Sequence, residues 1–258
     1  MSARNLIDAI RPDPGPVMLP EASAWMQGRT FYGGASTLIA YAAAIRSFPD
    51  LPPLRAAQVG FVGPVGAMIE PRATVLREGR NVTQVRTELR CEGAIALVAT
   101  FLFGAAREAN AEYASPPCPD WPGPPEDAAA VAMNGAPGFT QNFEIRYAAD
   151  PGGSDAPVVR RWLRLRDADG LTPIEQLILV GDALPPGSMR AMRRRGPLSS
   201  INWAFNILDP EPTTRDGWWL AETAGQWAAD GFSSERLRLW NEKGRQLLDG
   251  LQSAAIFG

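Results

Sequence analysis

Two periodicities of apolar and polar residues run along this chain, and they recur in the same order. Residues 3–10 carry a short helical pattern. After the loop 28–34, residues 35–48 are apolar on nearly every side and rich in small residues (Ala40, Ala42, Ala43, Ala44), which predicts a helix packed closely beneath a sheet. Beyond Pro52-Pro53 the pattern changes, and strands are predicted at 54–63, 72–78, 81–91 and 94–103. Within 81–91, Thr83, Val85, Thr87, Leu89 and Cys91 share one face, and Gln84, Arg86, Glu88 and Arg90 share the other. That alternation marks a sheet with one wetter side. Glu92-Gly93 supplies a hairpin turn before the fully apolar strand 94–103.

The second half repeats the plan. Strands are predicted at 141–148 and 158–166. A helix follows at 172–183, with Ile174, Leu177, Ile178 and Val180 on its apolar side. Strands then follow at 199–208, 217–228, 232–241 and 245–257, the last two joined by Asn241-Glu242-Lys243-Gly244. Gly63-Pro64 and Asp209-Pro210 each close the first strand after a helix, and Gly93 and Gly244 mark the final hairpins, so the copies are offset by about 150 residues. Between them lie Pro116, Pro117, Pro119, Pro122, Pro124 and Pro125, followed by an Ala/Gly-rich stretch. Proline offers no amide donor and holds the chain extended, so this region cannot be a central strand or a helix. The division is therefore 1–105 as a first domain, 106–138 as a linker and 139–258 as a second domain.

A long helix followed by a long antiparallel sheet implies a sheet wrapped round that helix. This is the hotdog plan. The fold class is α+β, a double hotdog whose two sheets pair as two hotdog subunits would.

Composition narrows the chemistry mainly by what is missing. Among 258 residues there are 25 Lys+Arg, 28 Asp+Glu, a net charge of −3, 2 Cys and no histidine. Ser-His-Asp and Cys-His catalysis, zinc sites built on histidine and a dehydratase with a histidine base are all excluded. Cys91 and Cys118 make neither a CxxC motif nor a four-cysteine site. The balance of charge argues against nucleic acid, and no apolar run approaches the ~18 residues that span a membrane. A soluble, cytoplasmic protein with no cofactor and no metal is expected. Asp167-Ala168-Asp169-Gly170 looks like the start of a calcium loop, but the closing glutamate is absent and a turn is expected instead.

Several segments together resemble the acyl-CoA thioesterase family of the type II, double-hotdog kind. They are Leu76-Arg77-Glu78-Gly79-Arg80-Asn81-Val82, Phe31-Tyr32-Gly33-Gly34 ahead of a helix, Leu179-Val180-Gly181-Asp182-Ala183-Leu184-Pro185-Pro186-Gly187, Pro197-Leu198-Ser199-Ser200-Ile201-Asn202-Trp203 and Gly250-Leu251-Gln252-Ser253. The resemblance implies a catalytic set of an Asp on the second helix, a Ser or Thr on the next strand and a Gln on the last strand. The matching positions are Asp182, Ser200 and Gln252. It further implies an acyl-CoA substrate, hydrolysis by water without a covalent intermediate, and contacts to substrate from Tyr32, Gly33 and Gly34. A homo-oligomer is consistent with it.

The chemistry is coherent without histidine. A carboxylate can accept a proton from water, while hydroxyl and amide groups fix that water's position. Ser199 points to the opposite face from Ser200, so the strand's register decides between them. Asp249 is a rival acid, expected at the rim. CoA carries phosphates, which makes the cluster Arg190, Arg193, Arg194 and Arg195 a candidate, with Arg193 and Arg194 expected at the substrate. Trp203, Trp218 and Trp219 are expected in packing rather than in an acyl tunnel. Where the family commonly carries an Asp and a His beyond the serine, this chain has Asn202 and Asn206, which bears on rate and substrate. Those replacements motivate a second reading, a non-catalytic acyl-CoA or fatty-acyl binding protein. A third is a structural protein whose sheets pair with other chains.

Overall fold

The computed structural model describes residues 2–12, 15–153, 155–194 and 196–257. In chain order, the first half contains α1 (Ala3–Asp8), β1 (Val17–Met18), β2 (Met26–Gln27), β3 (Thr30–Phe31), α2 (Gly33–Ser47), β4 (Leu54–Phe61), β5 (Met68–Glu78), β6 (Val82–Cys91) and β7 (Ala94–Gly104). The second contains β8 (Phe143–Tyr147), β9 (Val158–Leu165), α3 (Pro173–Gly181), β10 (Leu198–Ile207), β11 (Trp219–Ala229), β12 (Phe232–Trp240) and β13 (Gln246–Ile256). Short 3-10 turns lie at Ala22–Trp25, Pro125–Asp127, Gly138–Asn142 and Gly187–Ala191.

Eleven strands form one antiparallel sheet in the order β1-β5-β6-β7-β4-β10-β13-β12-β11-β9-β8. The halves meet where β4 pairs with β10, with Val59 opposite Trp203 and Ala57 opposite Phe205. Each half wraps its helix, and α2 packs against α3. This is the double hotdog expected from the periodicities.

The helices form for legible reasons. α2 is buried along Gly34–Ala40 and again at Ala42–Ala44, which accounts for its lack of a polar stripe. It ends at Phe48, where the following Pro49 disfavours helical backbone. α3 opens on a capping box, Thr172 with Glu175, and carries Pro173 in its first turn. Asp182 is its C-terminal cap residue. Three features escaped the periodicities: β1, β2 and β3 span two residues each, too short to show a period. β5 begins at Met68 rather than 72, running through Pro71.

The linker is not a free tether. Ala130 bridges Arg146, Tyr147 N–H donates to Ala129 O at 2.8 Å, and Val131 N–H donates to Ile145 O at 2.9 Å, so residues 129–131 extend the sheet beyond β8. Upstream, the linker covers the outer face of the sheet's second half, where Cys118, Trp162, Trp218, Leu220 and Trp240 form a separate buried cluster. Trp121 meets Trp162 edge-on at 5.5 Å. Arg160, fully buried, pairs with Glu222 and donates to Pro119 O (3.0 Å) and Asp120 O (2.9 Å). Arg146 and Arg164 lie over the Trp218 ring at 4.7 and 4.6 Å. Trp203 and Trp219 belong to the main core.

Candidate active site

The N-terminus of α2 and the C-terminus of α3 meet head to tail at Asp182. Tyr32, which caps α2, is buried, and its hydroxyl donates to Leu179 O in the last turn of α3 at 3.0 Å. Its ring stacks on Phe139, with centroids 4.2 Å apart. A side chain on Gly34 would collide with the Tyr32 ring, Leu179 O and Ile178 O at 2.6, 2.8 and 3.1 Å. Glycine there permits the two helix ends to touch.

Asp182 occupies the junction. Gln252 Nε2 donates to its Oδ1 at 2.7 Å, and the Gly34 N–H donates to the carboxylate as well. A Cβ on Gly33 would lie 2.2 Å from Asp182 Oδ2. Burial pushes the Asp182 carboxyl up to about 7, against the lowering effects of the Gln252 and Gly34 hydrogen bonds. No cation pairs with it among the described residues. The carboxylate sits at the unfavourable end of its own helix but at the favourable end of α2, where free N–H groups attract negative charge. Burial also raises the Tyr32 phenol well above its ordinary value, with the Asp182 charge adding to the effect, so Tyr32 stays a neutral donor.

A cavity of about 1000 Å³ opens above this junction. Its floor includes Gly33, Ser36, Phe61 and Asp182. The walls come from three sources: the β2–β3 turn and the segment after β4, the linker residues 131–137, and the second half on either side of the 187–191 turn. Gln252 is absent from the walls. It reaches Asp182 from the protein side, which makes it a tether for the carboxylate rather than a direct partner of a ligand.

The register of β10 separates the two serines. Ser200 lies opposite Ala254, and Trp203 opposite Gln252, with the ladder slipping by one residue between Ser200 and Asn202. This bulge puts Ser200 on the inner face with Ala254 and Gln252. Ser199 lies opposite Ala255 on the outer face. Both serines border the cavity.

The other expected positions fall variously. Of the five residues expected at the substrate, Gly33 lines the cavity. Tyr32 and Gly34 lie behind it, committed to Leu179 and Asp182. Arg193 and Arg194 are exposed and absent from the walls, although Met189 and Gly196 on either side of them do contribute. Arg190 pairs with Asp150 and donates to Val158 O, while Arg195 lies outside the described residues. Asp249 pairs with Arg236 on the outer face. Asn202 and Asn206 also face outward, Asn202 accepting from Ser253 N–H at 2.9 Å, so neither alters the surroundings of Asp182. The Asp167 carboxylate accepts from Asp169 N–H within its own turn.

Sequence reasoning missed Ser36, Arg29 and the linker wall. A signal existed for Ser36, which lies three residues beyond Gly33 and so on the same face of α2. Arg29, in the turn between β2 and β3, had none. It is exposed at the cavity and unpaired among the described residues.

Fold and site together define a double hotdog with a half-buried carboxyl at a helix N-terminus, open to a ligand-sized cavity. Comparison with known proteins agrees. The acyl-CoA thioesterase N-terminal domain family matches residues 21–104, and the acyl-CoA thioesterase C-terminal domain family matches residues 115–256. The chain belongs to the acyl-CoA thioesterase family and is a thioester hydrolase. Its structure is similar to that of a conserved hot dog fold protein of unknown function from Alicyclobacillus acidocaldarius, at TM-score 0.88, 19% identity and coverage of 100% of this chain and 99% of that one. It is also similar to the tesB protein of Mycobacterium avium subspecies paratuberculosis, at TM-score 0.79, 16% identity and coverage of 99% and 98%. An acyl-CoA thioesterase II from Mycobacterium marinum follows at TM-score 0.75, 17% identity and coverage of 98% and 97%. No curated protein matches the sequence. Among the described residues, no helix is long and apolar enough to cross a membrane.

Proposed function

We propose that the chain hydrolyses acyl-CoA thioesters by direct attack of a water activated by Asp182. The observation that carries this reading is the Asp182 carboxyl itself. It is held by Gln252 and Gly34, faces a cavity and is raised to about 7 by burial. A general base works best with a proton affinity near the operating pH. Asp182 takes the proton as the water oxygen bonds to the thioester carbon. The Gly33 N–H, at the free end of the 15-residue α2, faces the developing oxyanion. The tetrahedral intermediate then expels the CoA sulfur, which takes from Asp182 the proton removed from water. The products are a carboxylic acid and CoA. Gln252 keeps the carboxylate aimed at the cavity, and Ser200 orients the water from the wall.

The test is release of free CoA from saturated acyl-CoAs of graded length; a wild-type protein inert toward all of them would defeat the reading. Because the carboxylate is the active form, kcat/KM is expected to climb about tenfold per unit at low pH, bend near pH 7 and level off above it. A profile without that bend would remove Asp182 as the base. The register of β10 gives a sharper check. Ser200→Ala is expected to lower kcat about tenfold with KM little changed, as loss of one hydrogen bond in the transition state would. Ser199→Ala is expected to keep the wild-type kcat, with any effect confined to KM. Since Asn202 and Asn206 point away from the cavity, the reason for preferring a non-catalytic binding protein falls away.

A further inference from the structure

Part of the cavity wall comes from a segment belonging to neither hotdog core. Where residues 129–131 leave the edge of β8, the chain alternates: Val131 and Met133 are half-buried and pack on the main core, while Ala132 and Asn134 are exposed. A turn follows, closed by Ala136 N–H donating to Met133 O at 3.2 Å, with Gly135 at φ +73°. The chain is tied down again at Pro137, whose carbonyl accepts from Thr140 Oγ1 at 2.6 Å. Between these ties, residues 132–136 are held by that one turn bond and by the side chains they insert.

The surroundings of this segment are apolar. Val131 and Met133 share the cavity wall with Ile145, Val159, Leu184 and Met189. Arg161 of β9, which also lines the cavity, is already committed to Asp150 at 3.0 Å and lies over the Tyr147 ring at 5.1 Å. The wall also carries polar side chains: Gln27, Arg29 and Thr30 of the β2–β3 hairpin and Ser199 and Ser200 of β10, with Thr30 Oγ1 accepting from Val65 N–H at 3.0 Å. An acyl-CoA combines the same two kinds of surface, with hydrocarbon on one side of the thioester and amide, hydroxyl and phosphate groups on the other.

We propose that Met133 of the linker closes the acyl end of the cavity and sets the chain length it accepts. The inference rests on the thioesterase reading of Asp182. With the thioester carbon at Asp182, the alkyl chain runs beneath Val131 and Met133, and the CoA portion leaves past Arg29 and the serines. A methionine suits this position, because its unbranched thioether adapts to chain ends of different shape. Length selection then comes from a segment that can vary without disturbing either core.

The experiment compares kcat/KM across saturated acyl-CoAs of increasing length for the wild type, Met133→Ala and Met133→Trp. Truncation is expected to move the optimum to longer chains, with a change of about fourfold for each methylene that gains room. Tryptophan is expected to move it to shorter chains, cutting the longest substrates at least about tenfold and leaving the shortest within about twofold. Met133 is half-buried beside an exposed turn, so both variants should fold, and thermal unfolding checks this. If the tryptophan variant does not fold, the shift in the alanine variant decides alone. An unmoved profile in an active enzyme overturns the inference and leaves the thioesterase reading intact. So does an equal change at every length, which would place Met133 on the CoA side. A wild type inert toward every acyl-CoA defeats the reading of the site itself, and the inference with it.

Discussion

Asp182→Asn is expected to lower kcat by about 10²–10⁴ while the protein stays folded and still binds a non-hydrolysable acyl-CoA thioether. Asparagine keeps the shape of aspartate and one acceptor for the hydrogen bonds from Gln252 and Gly34, but it cannot take a proton from water. The cavity and its walls are unaffected, so binding should survive. Steady-state CoA release measures the first effect and calorimetry with the thioether the second. A variant that turns over at the wild-type rate would mean that another group activates the water. One that also loses binding would mean that Asp182 acts by shaping the cavity.

Gly33→Ala should cost nearly as much activity by a different route. The added methyl would lie 2.2 Å from Asp182 Oδ2, 3.2 Å from its Cγ and 2.8 Å from the Phe61 ring edge. The contacts at 2.2 and 2.8 Å force a shift, so the carboxylate must leave its hydrogen-bonded position, and a misplacement of about an ångström can cost two orders of magnitude in rate. Stability should change little. Alanine favours helix over glycine by about 1 kcal/mol, which offsets part of an overpacking cost of about 1–3 kcal/mol. Gly34→Ala should behave in the opposite sense. Its methyl would meet the Leu179 and Ile178 carbonyls, which are backbone and cannot swing away, so the fold is strained where α2 abuts α3. Paired melting curves and turnover numbers for the two variants separate the roles: full activity in Gly33→Ala would show that the carboxylate has another workable position.

These neighbouring glycines illustrate how the site was legible in part. Their placement before an apolar helix was visible, and so was Gln252 as a polar amide in an apolar strand. The partner of each was not, because Gly34 touches Leu179 and Gln252 touches Asp182 across large separations in sequence. The choice between Ser199 and Ser200 turns on the slip beyond Ser200, and a bulge leaves no mark in a pattern of alternating residues. The same slip sends Asn202 outward, so two replacements that looked important for the chemistry sit on the far side of the sheet. The arginine cluster misled for another reason. Density of charge in sequence carries no direction, and Arg193 and Arg194 extend into solvent while the isolated Arg29 reaches the cavity.

The sequence by itself determined the architecture: one helix of all-round apolar character and one with an apolar side, each followed by four long strands, with a break of prolines between them. Periodicity encodes burial, and burial of one sheet face against one helix has few solutions. It also excluded, through the missing histidine, every histidine-dependent hydrolysis, and left a carboxylate with hydroxyl and amide partners available. Only the tertiary structure decided the surroundings of Asp182. Its raised proton affinity comes from desolvation at the meeting of two helix ends, and its orientation from an amide that lies 70 positions away in the chain. The linker showed the same division most plainly. Its prolines announced a connector, but packing against the edge of β8 turned its far end into a wall of the cavity that Asp182 faces.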